Sequence, residues 1–116
     1  MIRSLLYLDA RDGDYDALVD HFRTVGILEH AGDHPGCHGS EIDIPCSKQG
    51  PMLVTALWDS PSDYDTWRDD PWRLSSSDGL RAHLRDQSDE APSGRLYRIV
   101  HEVIKGAAHG PSGRER

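Results

Sequence analysis

His30, His34, Cys37 and His38 are the side chains that come nearest to a metal-ligand set. They are three imidazoles spaced four apart, with a thiol alongside. Pro35-Gly36 interrupts any helix inside that cluster, so His30 and His34 cannot share a continuous helical face with His38. A histidine close to a helix C-terminus is also favoured by the helix dipole alone. The expectation is therefore that the cluster holds no metal. Asp9, Asp12, Asp14 and Asp16 are acidic and closely spaced, and they read as capping groups on a solvated edge. Cys37 and Cys46 bracket one extended segment. Its ends lie beyond disulfide reach, so both thiols are expected to be reduced.

The elements that must position any site follow from hydrophobic spacing. Residues 2–8 are rich in aliphatics and read as a strand. Tyr15, Leu18, Val19, Phe22, Val25 and Leu28 recur at helical intervals, with Asp16, Asp20 and Arg23 on the wet side. Asp12 or Asp14 can cap that helix. Residues 37–44 read as a second strand ended by Pro45, and residues 52–58 as a third. Ser60-Pro61-Ser62-Asp63 announces a helix: a capping serine, proline at the first helical position and an acid where a capping box places one. Asp70-Pro71 stops it. A further helical piece follows the run 75–79, carrying Leu80 and Leu84. Residues 86–94 are a polar connector, and 96–104 form a long last strand. His101 shares a face of that strand with Tyr97, Ile99 and Val103 and is expected to be partly enclosed.

Strand–helix–strand–strand–helix–strand is the split arrangement of ferredoxin-like α+β folds, βαββαβ, with a four-stranded antiparallel sheet and helices on one face. The other face should then be polar in a monomer. It is not: Met52, Val54, Ala56 and Trp58 form one face of the third strand, and Leu53, Thr55 and Leu57 the other. A sheet apolar on both sides needs two covers, the second most simply another copy of itself, so a homodimer is expected.

Certain residues also carry a family likeness. Pro35-Gly36-Cys37-His38-Gly39 opens the second strand, and Trp58-Asp59-Ser60-Pro61-Ser62-Asp63-Tyr64 joins the third strand to its helix. Trp67 then precedes Asp70-Pro71. Over residues 2–104 the chain resembles the antibiotic biosynthesis monooxygenase (ABM) family of dimeric α+β barrels. The resemblance implies a cavity between sheet and helices. In the quinone-forming branch that cavity is lined by a tryptophan, a tyrosine six residues later and an arginine on the later helix, which Trp58, Tyr64 and Arg81 match. Val54 stands where that branch has an asparagine. In the heme-degrading branch Trp67 matches a tryptophan, but the first strand offers Tyr7 or Leu8 for an asparagine, and Ser77 stands where a proximal histidine is implied.

The function so implied is a small cofactor-independent monooxygenase. It would oxidise a polycyclic aromatic or polyketide-type phenol or anthrone to a quinone in antibiotic (secondary metabolite) biosynthesis, with molecular oxygen as co-substrate and no cofactor. Such an enzyme must hold the substrate, exclude water, favour its anion and relay a proton. Tyr64, Arg81 and His101 are the expected catalytic groups, and Trp58, Trp67, Val54, His38 and His83 the expected substrate-binding ones. The alternatives are a non-oxidative polyketide cyclase or isomerase of the same fold and a non-enzymatic dimeric small-ligand-binding protein.

Bulk composition agrees with one small domain. The chain has 116 residues, 13 basic against 20 acidic, for a net charge of −7. That balance opposes binding to nucleic-acid phosphates or to an anionic membrane. No apolar run approaches the roughly 20 residues that span a bilayer. The first nine residues are charged too soon for a signal peptide, which points to the cytoplasm. Residues 1–105 are expected to form the domain, and 106–116 a flexible tail.

Overall fold

The computed structural model describes residues 1–86 and 92–105. The expected tail, 106–116, and the middle of the polar connector, 87–91, lie outside the described residues. Four strands, β1 (Ile2–Leu8), β2 (Cys37–Asp43), β3 (Met52–Trp58) and β4 (Arg95–Arg98), form one antiparallel sheet in the order β2-β3-β1-β4. With four helices, α1 (Tyr15–Val25), α2 (Ile27–Gly32), α3 (Pro61–Arg68) and α4 (Pro71–Arg81), this is the ferredoxin-like α+β arrangement that the element order implies.

Register fixes which side chains enter the core. Ile2 pairs with Trp58, Ser4 with Ala56, Leu6 with Val54 and Leu8 with Met52, so these eight share the face turned to the helices. Leu18 and Phe22 of α1, Ile27 and Ala31 of α2, Tyr64 and Trp67 of α3 and Leu80 of α4 are buried with them. Arg3, Leu5 and Tyr7 alternate onto the opposite face with Leu53, Thr55 and Leu57, away from the described helices. Tyr7 and Tyr97 are about half exposed there, at 49% and 46%.

Three elements differ from the sequence expectation. The helix expected to run to Leu28 breaks at Gly26, whose left-handed backbone (φ 77°) ends α1 and begins α2 in a new direction. Glycine adopts that conformation without the steric cost a Cβ would bring. α4 begins at Pro71, directly after α3, rather than beyond Ser75, because Asp70 caps it: one carboxylate oxygen accepts the Trp72 N–H at 2.8 Å. β4 ends at Arg98, not at Ile104. Val100, Val103 and Ile104 continue without strand pairing and are strongly exposed, so His101 lies on the surface rather than enclosed by a sheet.

The segment after α4 is fastened to the segment between β1 and α1. Ala10 bridges Leu84, Arg11 N–H donates to the His83 carbonyl at 2.9 Å, and Arg85 N–H donates to the Asp9 carbonyl at 2.9 Å. His83 packs its ring on His21 of α1, with centroids 4.9 Å apart, and His21 Nε2 is buried without a hydrogen-bond partner among the described residues. Burial, and secondarily the neighbouring His83, push the His21 imidazole below its ordinary value. Folding therefore favours neutral His21. Its contribution to stability is complete above the unfolded value of about 6.5 and is lost as pH falls below it. The melting temperature should drop between pH 7 and pH 5, and His21→Gln should flatten that drop. An identical pH profile in the variant would show that His21 carries none of it.

Candidate functional site

Between the sheet and the helices lies a cavity of about 60 Å³. β1 and β3 supply its floor through Ser4, Val54 and Trp58, while Phe22, Leu80 and Trp67 close it from the helices. Trp58 is fully buried at 0% exposure, and its Nε1–H donates to Ser4 Oγ at 3.0 Å. That bond satisfies two polar groups that would otherwise be costly in the core. Tyr64 meets Trp58 edge-on, with ring centroids 5.8 Å apart. The Tyr64 hydroxyl accepts the Gly94 N–H at 2.6 Å. Its position follows from the turn after β3: Ser60 Oγ donates to the Asp63 carboxylate at 2.9 Å, Pro61 begins α3, and Tyr64 and Trp67 fall on the buried side one turn apart.

Among the described residues the one cationic side chain in the cavity wall is Arg73. Its guanidinium lies over the Trp67 ring, 5.9 Å from the centroid. It donates to the Arg68 carbonyl at 3.1 Å and to the Pro92 carbonyl. Among the described residues no carboxylate pairs with it. Burial lowers the proton affinity of this guanidinium, yet arginine remains a cation throughout the range in which proteins fold. The site is thus a largely apolar, aromatic-walled recess with a buried guanidinium beside a phenol, in no ion pair with a described carboxylate though Asp69 acts on it through space. The chemistry of such a lining suits an aromatic ring and can stabilise negative charge on its oxygen.

The structure brings together Trp58, Trp67, Val54 and Tyr64, all of which line the cavity. It does not bring Arg81, His38, His83 or His101 there. Arg81 pairs with Asp78 one turn back on α4. His38 sits at an irregularity in the β2–β3 register and reaches Asp59 at 2.6 Å on the surface. His83 is turned against His21, and His101 is exposed beyond β4. Arg73 was missed because its segment was read as a stop rather than as the first turn of α4. The signal was present in Asp70-Pro71, an acid and a proline placed like Ser60-Pro61.

The histidine and cysteine cluster disperses to separate partners. His30 stacks on Trp72 at 3.5 Å, His34 bonds the Asp70 carboxylate at 2.7 Å and meets Trp67 edge-on, and Cys37 packs against the core. The His34 bond, reinforced by the Trp72 N–H, holds Asp70 below the usual carboxylate range. Among the described residues no three His, Cys, Asp or Glu side chains converge as a metal site. None of the described helices is long and apolar enough to cross a membrane.

No protein-family model matches the chain, and no curated protein matches it by sequence. Solved structures do match it in three dimensions. A Nitrosomonas europaea protein provisionally named an antibiotic biosynthesis monooxygenase superposes with a TM-score of 0.68 at 14% identity, covering 87% of this chain and 100% of its own. A Deinococcus radiodurans protein provisionally given the same name superposes with a TM-score of 0.67 at 20% identity, over 90% and 97% of the two chains. The heme-degrader MhuD of Mycobacterium tuberculosis superposes with a TM-score of 0.62 at 16% identity, over 90% and 100%. The chain therefore has the fold of the ABM proteins, as the resemblance of its motifs implied.

One expectation is corrected by this comparison. The fold was read as implying no cofactor, but MhuD holds two hemes in its active site on the same architecture. Whether heme suits the present residues is a separate matter. Protein ligands to heme iron are histidine, cysteine, methionine or tyrosine. Among the described residues the cavity wall contains no histidine, cysteine or methionine, and its one tyrosine oxygen is engaged by Gly94. These residues do not fit a heme.

The Trp58–Ser4 bond can be weighed directly. Trp58→Phe should destabilise the fold by about 1–3 kcal/mol, the penalty of leaving a buried hydroxyl without its donor, with a further loss from the void. Adding Ser4→Ala should recover part of that loss in urea unfolding, as a double-mutant cycle requires for coupled groups. Strict additivity would show that the bond contributes nothing.

Proposed function

We propose that this protein is a small monooxygenase that oxidises an aromatic phenol or anthrone of polyketide type to a quinone in secondary-metabolite (antibiotic) biosynthesis. The observation that carries the reading is Arg73: a desolvated cation in an aromatic-walled cavity, next to Tyr64 and without a carboxylate partner among the described residues. A phenol or enol loses a proton more easily beside such a charge, and its anion is the form that gives up electrons. Arg73 takes the role first assigned to Arg81. Trp58 and Trp67 would sandwich the rings and exclude water. Tyr64 would hold or pass the proton released from the substrate oxygen. Overall, a ring methylene and dioxygen become a carbonyl and water. One oxygen atom enters the product and the other leaves with the two hydrogens.

The same reading includes assembly as a homodimer through the sheet face turned away from the described helices. Leu5, Tyr7, Leu53, Leu57 and Tyr97 leave an apolar surface there that a second copy would cover. The ABM-fold neighbours support this only as proteins of the same architecture.

Oxygen uptake and quinone formation with anthrone test the chemistry. Arg73→Met and Tyr64→Phe should each slow turnover by about a hundredfold, with little change in melting temperature, while Arg81→Met should leave the rate unaltered. Full activity in Arg73→Met would remove the basis of the reading. A wild-type protein that cyclises or isomerises a polyketide without consuming oxygen would establish the non-oxidative alternative. For assembly, Leu57→Asp should convert a dimer to a monomer in sedimentation, because it places an unpaired charge in the interface. A wild-type monomer at micromolar concentration would end that part of the proposal.

A further inference from the structure

The cavity and its proposed substrate differ in size. A space of about 60 Å³ falls well short of the about 150 Å³ of an engineered cavity that takes one benzene ring. A fused aromatic is larger than this space, so part of the wall must yield for one to lie wholly inside. Most of the described wall is regular structure: β1, β2 and β3 beneath, α1, α2, α3 and α4 above. The exception is the segment 92–94, which is neither helix nor strand and contributes Pro92 and Gly94 to the lining.

This segment is held by the two polar groups on which the chemistry rests. The Pro92 carbonyl accepts from Arg73, and the Gly94 N–H donates to the Tyr64 hydroxyl at 2.6 Å. The approach is made by backbone alone. A Cβ on Gly94 would lie 3.1 Å from the Tyr64 oxygen and 3.4 Å from the Leu5 carbonyl, so no larger residue fits without displacement. Arg73 thus faces neutral carbonyls where a buried guanidinium gains most from a charged oxygen.

We infer that the segment 92–94 is a displaceable plug occupying the polar edge of the substrate site, and that its two backbone contacts mark the ligand's own groups. The ligand is an aromatic with an anionic oxygen, which takes Arg73 from the Pro92 carbonyl, beside a hydroxyl, which takes the Tyr64 oxygen from the Gly94 N–H. Charge-assisted bonds of this kind are about twice as strong as neutral ones, so the exchange at Arg73 favours the ligand. Releasing 92–94 breaks the two hydrogen bonds just named, whereas moving a strand or helix would open the core. This inference rests on the aromatic-site reading above and adds the polar pattern of the substrate and the wall that yields to it.

Hydroxynaphthoate, with its carboxylate beside a hydroxyl, is the probe. Naphthoate, naphthol and naphthalene are its controls. Binding is followed by quenching of tryptophan fluorescence, and the plug by hydrogen exchange at the Gly94 amide. Hydroxynaphthoate should bind at least tenfold more tightly than naphthalene and should speed Gly94 exchange several-fold. Without ligand, Tyr64→Phe and Arg73→Lys should each speed the same exchange. A probe that binds while Gly94 exchange is unchanged or slowed overturns the plug. Equal affinity for hydroxynaphthoate and naphthalene overturns the polar pattern. If none of the four compounds binds while Gly94 exchange still responds to Tyr64→Phe, the aromatic-site reading fails with the ligand class, and the latch alone stands.

Discussion

Burying an indole in a domain this small imposes one demand on everything around it: the ring must be covered and its N–H must find an acceptor. Trp58 meets both from the last position of β3, where it pairs with Ile2 on one side and Cys37 on the other and donates to Ser4. The bond reaches from β3 to β1, so side-chain chemistry and strand register support each other. A one-residue slip of β1 would carry Ser4 to the opposite face and leave the indole without a partner. Tyr64 then packs edge-on against Trp58, which sets α3 on the sheet, and α4 follows at once through Asp70-Pro71. The cavity is the space these large side chains leave between sheet and helices.

Much of this could be read in the sequence, for identifiable reasons. β3 is a run of alternating side chains with both faces apolar, and α3 carries its start signal in Ser60-Pro61. Those strong local patterns placed Trp58, Tyr64 and Trp67 on the right elements. The failures are equally specific. Helical spacing continues through Gly26, so periodicity alone carried α1 to Leu28, whereas the glycine turns the chain. The aliphatic run after Arg98 looks like more strand, yet strand formation depends on a neighbour to pair with, and composition does not report one. His101 was assigned by that strand and lost with it. Arg81 and Arg73 lie on the same helix eight residues apart. Only the true start of α4 decides which of them turns toward Trp67.

The contrast with MhuD shows what the fold leaves open. The same architecture encloses two hemes in that protein, while here the wall presents serine hydroxyls, aromatic rings and a guanidinium. Strand alternation and helix packing determine that a recess exists. A few lining positions determine whether it can ligate iron or hold an organic anion. Ser77 stands in α4 with its hydroxyl bonded to the Leu74 carbonyl, a bond that fixes the side chain within its own helix. Five imidazoles are engaged elsewhere: His21 and His83 against each other, His38 on Asp59, His34 on Asp70 and His30 on Trp72.

The electrostatics of Arg73 connect stability to function. A guanidinium placed among aromatic and aliphatic side chains loses hydration, and two backbone carbonyls with one indole face compensate only in part. The surrounding helix bears the cost because α4 is fixed elsewhere, by the Asp70 cap at its start and by Leu80 in the core. A charge left partly unsatisfied in the resting protein gives an anionic ligand more to gain on arrival than a charge already paired with a carboxylate. Under the proposed function, the attraction for an anionic substrate and the cost of burying the guanidinium would have one physical origin, and a substitution that relieves the second would weaken the first.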